Sequence, residues 1–157
     1  MSSSNEPQAA AAGAPVRVLM YTAYLEPEFS GAALQALTLA RELRRRGHAV
    51  EFVTNRWPGL AEATVIEGFA VHRLEPGRLR KHREFRLWLN LSRYAWARRR
   101  DFDVLHSHGA YYAHAFVGLL GWLVGMRSLV KASLASNDML GAVQPTLAGR
   151  LHRWMLR

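Results

Sequence analysis

The sequence predicts an α/β fold: a three-layer domain with a mostly parallel sheet. Two observations predict it. Short apolar β-prone runs alternate with longer helical segments from Val16 onward, the pattern of a sheet covered by crossover helices. The first such unit is also complete, running strand, loop, helix, glycine, strand, and parallel crossovers of this kind are right-handed.

Val16–Tyr21 (VRVLMY) is apolar, follows Pro15 and precedes a turn-rich stretch, the mark of a buried strand. A loop from Thr22 to Gly31 contains Pro27 and Ser30. Ala32–Arg46 then reads as a helix whose apolar side is drawn from Leu34, Leu37, Thr38 and Arg41, with the pair Leu39 and Leu43. Gly47 ends it, since glycine accepts the left-handed backbone that closes a helix. Arg44, Arg45 and Arg46 fill its last turn, where cations meet the negative end of the helix dipole. Ala49–Thr54 is the second strand. Thr64–Leu74 is an extended pair or one bent strand, with Gly68 at the bend. The very basic Arg78–Arg100 segment is helical, Asp101–Ser107 is a strand, Gly109–Met126 a helix and Ser128–Leu134 a strand. Pro145 suits the first turn of a last helix.

Composition narrows the function. The 157 residues fit one domain able to bury a core of its own. There is no cysteine, which excludes disulfides, thiolate metal sites and cysteine nucleophiles. The formal charge of +9 favours anionic partners. Residues 1–15 are expected to be a disordered tail and residues 16–157 the folded domain. The opening stretch lacks the basic group and apolar run of a secretion signal, so a cytoplasmic location is expected. The apolar run Ala115–Met126 is too short to span a bilayer and reads as a buried helix packed on a sheet.

Ligands of such sheets bind beyond the carboxyl ends of the strands. That places the candidate site on the loops Thr22–Gly31, Asn55–Leu60, Ser107–Ala110 and Ala135–Val143. Ser30-Gly31 opens a helix whose free N–H groups suit a phosphate; a plain N-cap with a turn glycine is the competing reading. No GxGxxG or GxxxxGK[ST] pattern accompanies it. His106 and His108 lie two apart on a strand end, so their side chains share a direction. They line a cleft or bond nearby backbone; a metal is not expected, because no carboxylate stands at ligand spacing. Lys131 interrupts an apolar strand, either reaching the cleft or marking a wet edge. Asn137 and Asp138 follow it, as sugar-hydroxyl ligands or as ordinary turn formers. The arginines between Arg78 and Arg100 interleave with Trp88, Tyr94 and Trp96. That mixture suits an anionic membrane surface or a helix with one solvated arginine face. No nucleic-acid module accompanies the charge, so nucleic acid is not an expected partner.

These stretches resemble a known family. VRVLMYTAYLEPEFSGAALQALTLARELRRRGHAVEFVT, GFAVHRLE, FDVLHSHG and SLVKASLASND, in that order and spacing, are similar to successive strands and loops of family 4 glycosyltransferases. The resemblance implies one Rossmann-like half of a GT-B fold, the half that holds the acceptor. The other half would hold a nucleotide-sugar and carry a Glu-x7-Glu motif. Transfer would proceed without metal or other cofactor and with retention at the anomeric carbon. It further implies that Gly31 approaches the donor phosphates, and that His108, Gly109 and Asp138 line the acceptor side; His106, Lys131 and Asn137 are expected on the same side from their places at strand ends and in the following loop. Two positions depart from the family pattern. Ser30 replaces the first glycine of a pair, and Ala135 stands where many relatives carry a histidine.

The function expected is therefore sugar transfer from a nucleoside-diphosphate sugar to the hydroxyl of a glycan, lipid or small-molecule acceptor. The chain is read as an incomplete N-terminal half with the donor domain absent, inactive alone and completed by a separate donor domain. The alternative is a non-catalytic module derived from such an enzyme, docking on a partner or peripherally on the inner membrane face. A free-standing nucleotide-binding domain is the third reading.

Overall fold

The computed structural model describes residues 14–27, 29–76, 83–109 and 116–131, the Glu84 side chain excepted. The expected tail up to residue 13, the segments 77–82 and 110–115, and everything after Lys131 lie outside the described residues. That includes Asn137, Asp138 and the expected last helix.

Six strands form one sheet. They are β1 (Arg17–Tyr21), β2 (Ala49–Asn55), β3 (Ala63–Ile66), β4 (Phe69–Leu74), β5 (Val104–His108) and β6 (Arg127–Lys131). The helices are α1 (Gly31–Arg45), α2 (Arg83–Ala97) and α3 (Val117–Val124). Strand order is β3-β4-β2-β1-β5-β6. All pairings are parallel except β3 with β4. The sheet is thus Rossmann-like: β2 and β4 build outward on one side of β1, then the chain crosses to β5 on the other.

Side-chain alternation assigns the two faces. Val18, Met20, Phe52 and Val71 pack with Ala33, Ala36, Leu37 and Ala40 of α1. Leu19, Tyr21, Val53 and Leu105 pack with Leu87, Leu91 and Ala95 of α2 and with Val117, Leu120 and Val124 of α3. Two layers of helix therefore enclose the sheet.

The termini of α1 follow from its sequence. Ser30 caps the start, its Oγ accepting from Ala33 N at 3.1 Å. At the far end Gly47 N donates to Arg44 O and His48 N to Leu43 O, both at 3.0 Å. Gly47 has φ +84°, so the predicted glycine closure is a Schellman motif. The buried stripe differs from the one predicted. Ala33, Ala36, Leu37 and Ala40 face the sheet, while Leu34 is 56% exposed and Thr38 and Arg41 lie outside. A helix lying flat on a sheet needs small side chains where the backbones come closest, so alanines displaced the larger leucine.

Of the two readings of Thr64–Leu74, the extended pair is correct: β3 and β4 form a hairpin. Its two turn residues, Glu67 and Gly68, have φ of 52° and 79°, the signature of a type I′ turn. Arg41 holds the Glu67 carboxylate through two bonds of 2.7 Å, and Arg44 donates to the Glu67 carbonyl at 3.0 Å. The hairpin is thereby tied to α1.

The segment expected as a buried helix packed on a sheet does pack there, through one face. Val117, Leu120, Gly121 and Val124 are covered, whereas Leu119, Trp122 and Leu123 are exposed. α3 lies on the outside of the β5–β6 region, and one side of a helix cannot reach the sheet. Among the described residues no helix is long and apolar enough to cross a membrane.

Candidate functional site

Strand order reverses between β1 and β5, the point beyond whose strand tips ligands of such sheets bind. Met20 lies beside His106 and Tyr21 beside Ser107 in the parallel register. Val104 packs on the α1 side, so His106 and His108, at the same parity, face α1 as well. Their rings are 4.3 Å apart and both residues are buried. The shared direction expected from their spacing is therefore observed.

His106 Nε2 is buried with no hydrogen-bond partner among the described residues. Burial, and then the nearby Lys131 ammonium, push its pKa below the ordinary histidine value. His106 is thus a neutral imidazole near pH 7, suited to exchanging a hydrogen bond with a hydroxyl.

The structure bears on one of the two readings of Lys131, the wet edge. β6 is the sheet edge among the described residues and is largely exposed. The ammonium nevertheless crosses to α1 and donates to Gln35 Oε1 at 2.7 Å. Its backbone carbonyl accepts from Gly109 N at 2.8 Å. Gly109 is buried with φ 129°, a backbone that a side chain would strain. Glycine at the end of β5 is therefore a requirement of the turn.

The Ser30-Gly31 pair divides differently. Ser30 is a genuine N-cap, the competing reading of that motif. A Cβ built on Gly31 meets nothing within 4 Å, so packing does not demand glycine there. The open space and the free N–H groups of the first turn leave that helix end accessible to an anion. Among the described residues no three His, Asp or Glu side chains gather as metal ligands. Asn137 and Asp138 lie outside the described residues.

Three features escaped the sequence reading. Gln35, one turn into α1, anchors Lys131. Arg73 on β4 is only 5% exposed; its Nη1 donates to Ala61 O at 3.1 Å and its Nη2 lies 4.0 Å from Glu26. It clasps the loops after β1 and β2, and an arginine in a strand pattern had no local signal to announce this. The third is a cavity of about 420 Å³ on the α2 side, lined by Arg56, His72, Asn90, Arg93 and Tyr94 among others. Beneath it Tyr94 and Arg98 both donate to the Glu51 carboxylate. Burial and that carboxylate push the Tyr94 phenol up to about 12.

Residues 29–131 match the sequence profile of Glycosyltransferase Family 4. Among solved structures the chain is similar to the catalytic domain of starch synthase IV from Arabidopsis thaliana bound to ADP and acarbose. The TM-score is 0.61 at 18% sequence identity, covering 87% of this chain and 38% of that one. At such identity the likeness speaks for the fold, and the chain spans well under half of that structure. No curated protein matches the chain.

Proposed function

The chain belongs to glycosyltransferase family 4, and from that premise we propose that it forms the acceptor-side half of a sugar-transferring cleft. The reaction is transfer of a glycosyl group from a nucleoside-diphosphate sugar to an acceptor hydroxyl. The observation that carries the reading is the convergence of a buried imidazole pair, His106 and His108, with the Lys131–Gln35 bridge on the α1 side of the sheet's switch point.

Each part has a physical role in this reading. The neutral imidazole of His106 bonds an acceptor hydroxyl without the desolvation cost of a buried cation. The Gly109 turn lets the acceptor approach the backbone at the β5 tip. The α1 N-terminus at Ser30-Gly31 faces the donor's phosphates, where oriented N–H groups stabilise charge that develops as the glycosidic bond breaks. Lys131 adds a positive charge on the same side. No described residue is needed as a metal ligand. Asn137 and Asp138 complete the acceptor side in this proposal.

Donor binding belongs to a second lobe, so the 157-residue chain alone is expected to show negligible turnover. Two measurements test the division. Incubation of the purified chain with UDP-, GDP- and ADP-sugars should release no nucleotide above the uncatalysed rate; steady turnover would refute it. Addition of oligosaccharide or glycolipid acceptors should move the His106 and His108 imidazole resonances. If every acceptor class leaves both unmoved at millimolar concentration, the acceptor-side assignment fails.

A further inference from the structure

The packing of α2 against α3 leaves an apolar surface outside the sheet. Trp122 is 76% exposed, Trp96 55% and Leu123 51%; Phe85 and Leu119 are exposed too. Between the helices runs a groove of about 380 Å³ lined by Trp88, Trp96, Leu120, Leu123 and Val124, with Ser92 and Arg93 at its polar side. Exposed apolar patches on one face of a soluble fold mark interaction surfaces.

The charge around this surface identifies its partner. Glu84 is the one acidic residue in the α2 sequence, and α3 has no charged residue. Arg86 and Arg93 are exposed and form no ion pair with a described residue. Arg99 stacks over Trp96, 4.7 Å from its ring centre. Arg127 stands exposed just past α3. On the opposite layer the arginines of α1 are largely neutralised: Arg45 and Arg46 by Glu42, and Arg41 by Glu67. Of the uncompensated cations, Arg93 lines the groove with Trp96 and Leu123, and Arg99 covers Trp96; Arg86 lies on the same helix and Arg127 just past α3. Nucleic acid would use the cations and leave the leucines in water. A lipid headgroup region takes both, since phosphates meet guanidinium groups while indoles and leucines enter the acyl boundary.

We propose that the outer face of α2 and α3 is a docking surface for an anionic lipid bilayer. Arg86, Arg93, Arg99 and Arg127 meet the phosphates, and Trp96, Trp122 and Leu123 insert. Phe85 and Trp88 lie in the first turns of α2, which leaves the strand-tip edge of the sheet.

The test uses the 157-residue chain and vesicles of phosphatidylcholine with or without phosphatidylglycerol. Cosedimentation should require phosphatidylglycerol and fall steeply at 0.5 M salt. Acyl-brominated lipid should quench tryptophan emission, and Trp122→Ala should remove much of that quenching. Each basic side chain near an anionic surface contributes roughly a fivefold gain in binding. Arg93→Glu should therefore weaken association by about tenfold or more. Arg45→Glu, on the opposite layer, removes the same charge and should weaken it far less. Circular dichroism confirms that each variant is folded. Equal losses for the two reversals would show diffuse attraction by net charge and overturn the proposal. So would equal binding to neutral vesicles, absence of binding, or a concentration-dependent dimer lost in Trp122→Ala, which would assign this face to a second copy.

Discussion

Gly121 of α3 offers a prediction whose sign is decided by two opposed terms. Replacing glycine by alanine inside a helix ordinarily gains about 1 kcal/mol, through the lower backbone entropy of the unfolded chain. At Gly121 the new Cβ would lie 2.7 Å from Ser128 Cβ and 3.0 Å from the Met126 carbonyl oxygen. Both atoms are fixed by the backbone of β6 and the turn before it, so no rotamer change relieves the contact. Overpacking of this kind costs roughly 1–3 kcal/mol, more where neighbours cannot yield. The clash should win, leaving Gly121→Ala less stable by about 1–2 kcal/mol. Gly118, in the same helix, is the internal control. A Cβ there meets nothing within 4 Å, and Gly118→Ala should stabilise by about 0.5–1 kcal/mol. Urea unfolding followed by far-ultraviolet circular dichroism reads both. A double-mutant cycle with Ser128→Gly isolates the contact, because removing the Ser128 Cβ should return a large part of the loss. If Gly121→Ala proves as stabilising as Gly118→Ala, α3 does not lie against β6 as described.

Three further outcomes are expected. Ser30→Ala should destabilise by about 1 kcal/mol and Ser30→Gly by only a few tenths, measured by the same unfolding curves; equal effects would remove Ser30 as the cap of α1. Lys131→Met should raise the His106 pKa, since it removes the charge that adds to burial in lowering it. A nuclear magnetic resonance titration reads this, and an unchanged or lower value would refute the coupling. Because the folded chain holds His106 below its ordinary value, the unfolded chain binds more protons, and this group's destabilisation grows as pH falls through about 6.5. Asp103 behaves oppositely: bonds from the Arg17 side chain, then its backbone N–H, hold the carboxyl at about 2. Its contribution is present above the ordinary carboxylate pKa and is lost as pH falls from about 4 toward 2. Asp103→Asn should flatten stability in that window, and an unaltered acid slope would count against the pair.

Local signals made most of the fold legible before any coordinates. Gly47 and Gly68 sit where the backbone must take positive φ, and apolar runs marked β1, β2 and β5. What local pattern could not give was distance between layers. The helical period of α1 fits both the leucine-bearing side and the alanine stripe, and only close approach to β1 and β2 selects Ala33, Ala36 and Ala40. Likewise the run around α3 is apolar on every side, so its sequence carries no information on which face the sheet covers. The buried choice, with Leu120 and Val124 inside and Trp122 outside, is made by the position of α2.

The site was legible to the extent that it lies on strand tips. His106 and His108 are two apart, and a pleated strand turns that interval into a shared face without tertiary information. Their neighbours are another matter: Lys131 meets Gln35 across 96 positions, and Arg73 clasps Glu26 and Ala61 from a third strand. Those contacts depend on strand order, which follows from the crossovers rather than from any one element. The same order explains why the histidines are buried while Lys131 stays wet. β5 is flanked by β1 and β6, whereas the described sheet ends at β6. A buried pair of imidazoles beside a solvated ammonium is thus a consequence of topology. It brings two buried imidazoles and a charged side chain to the α1 side of one sheet.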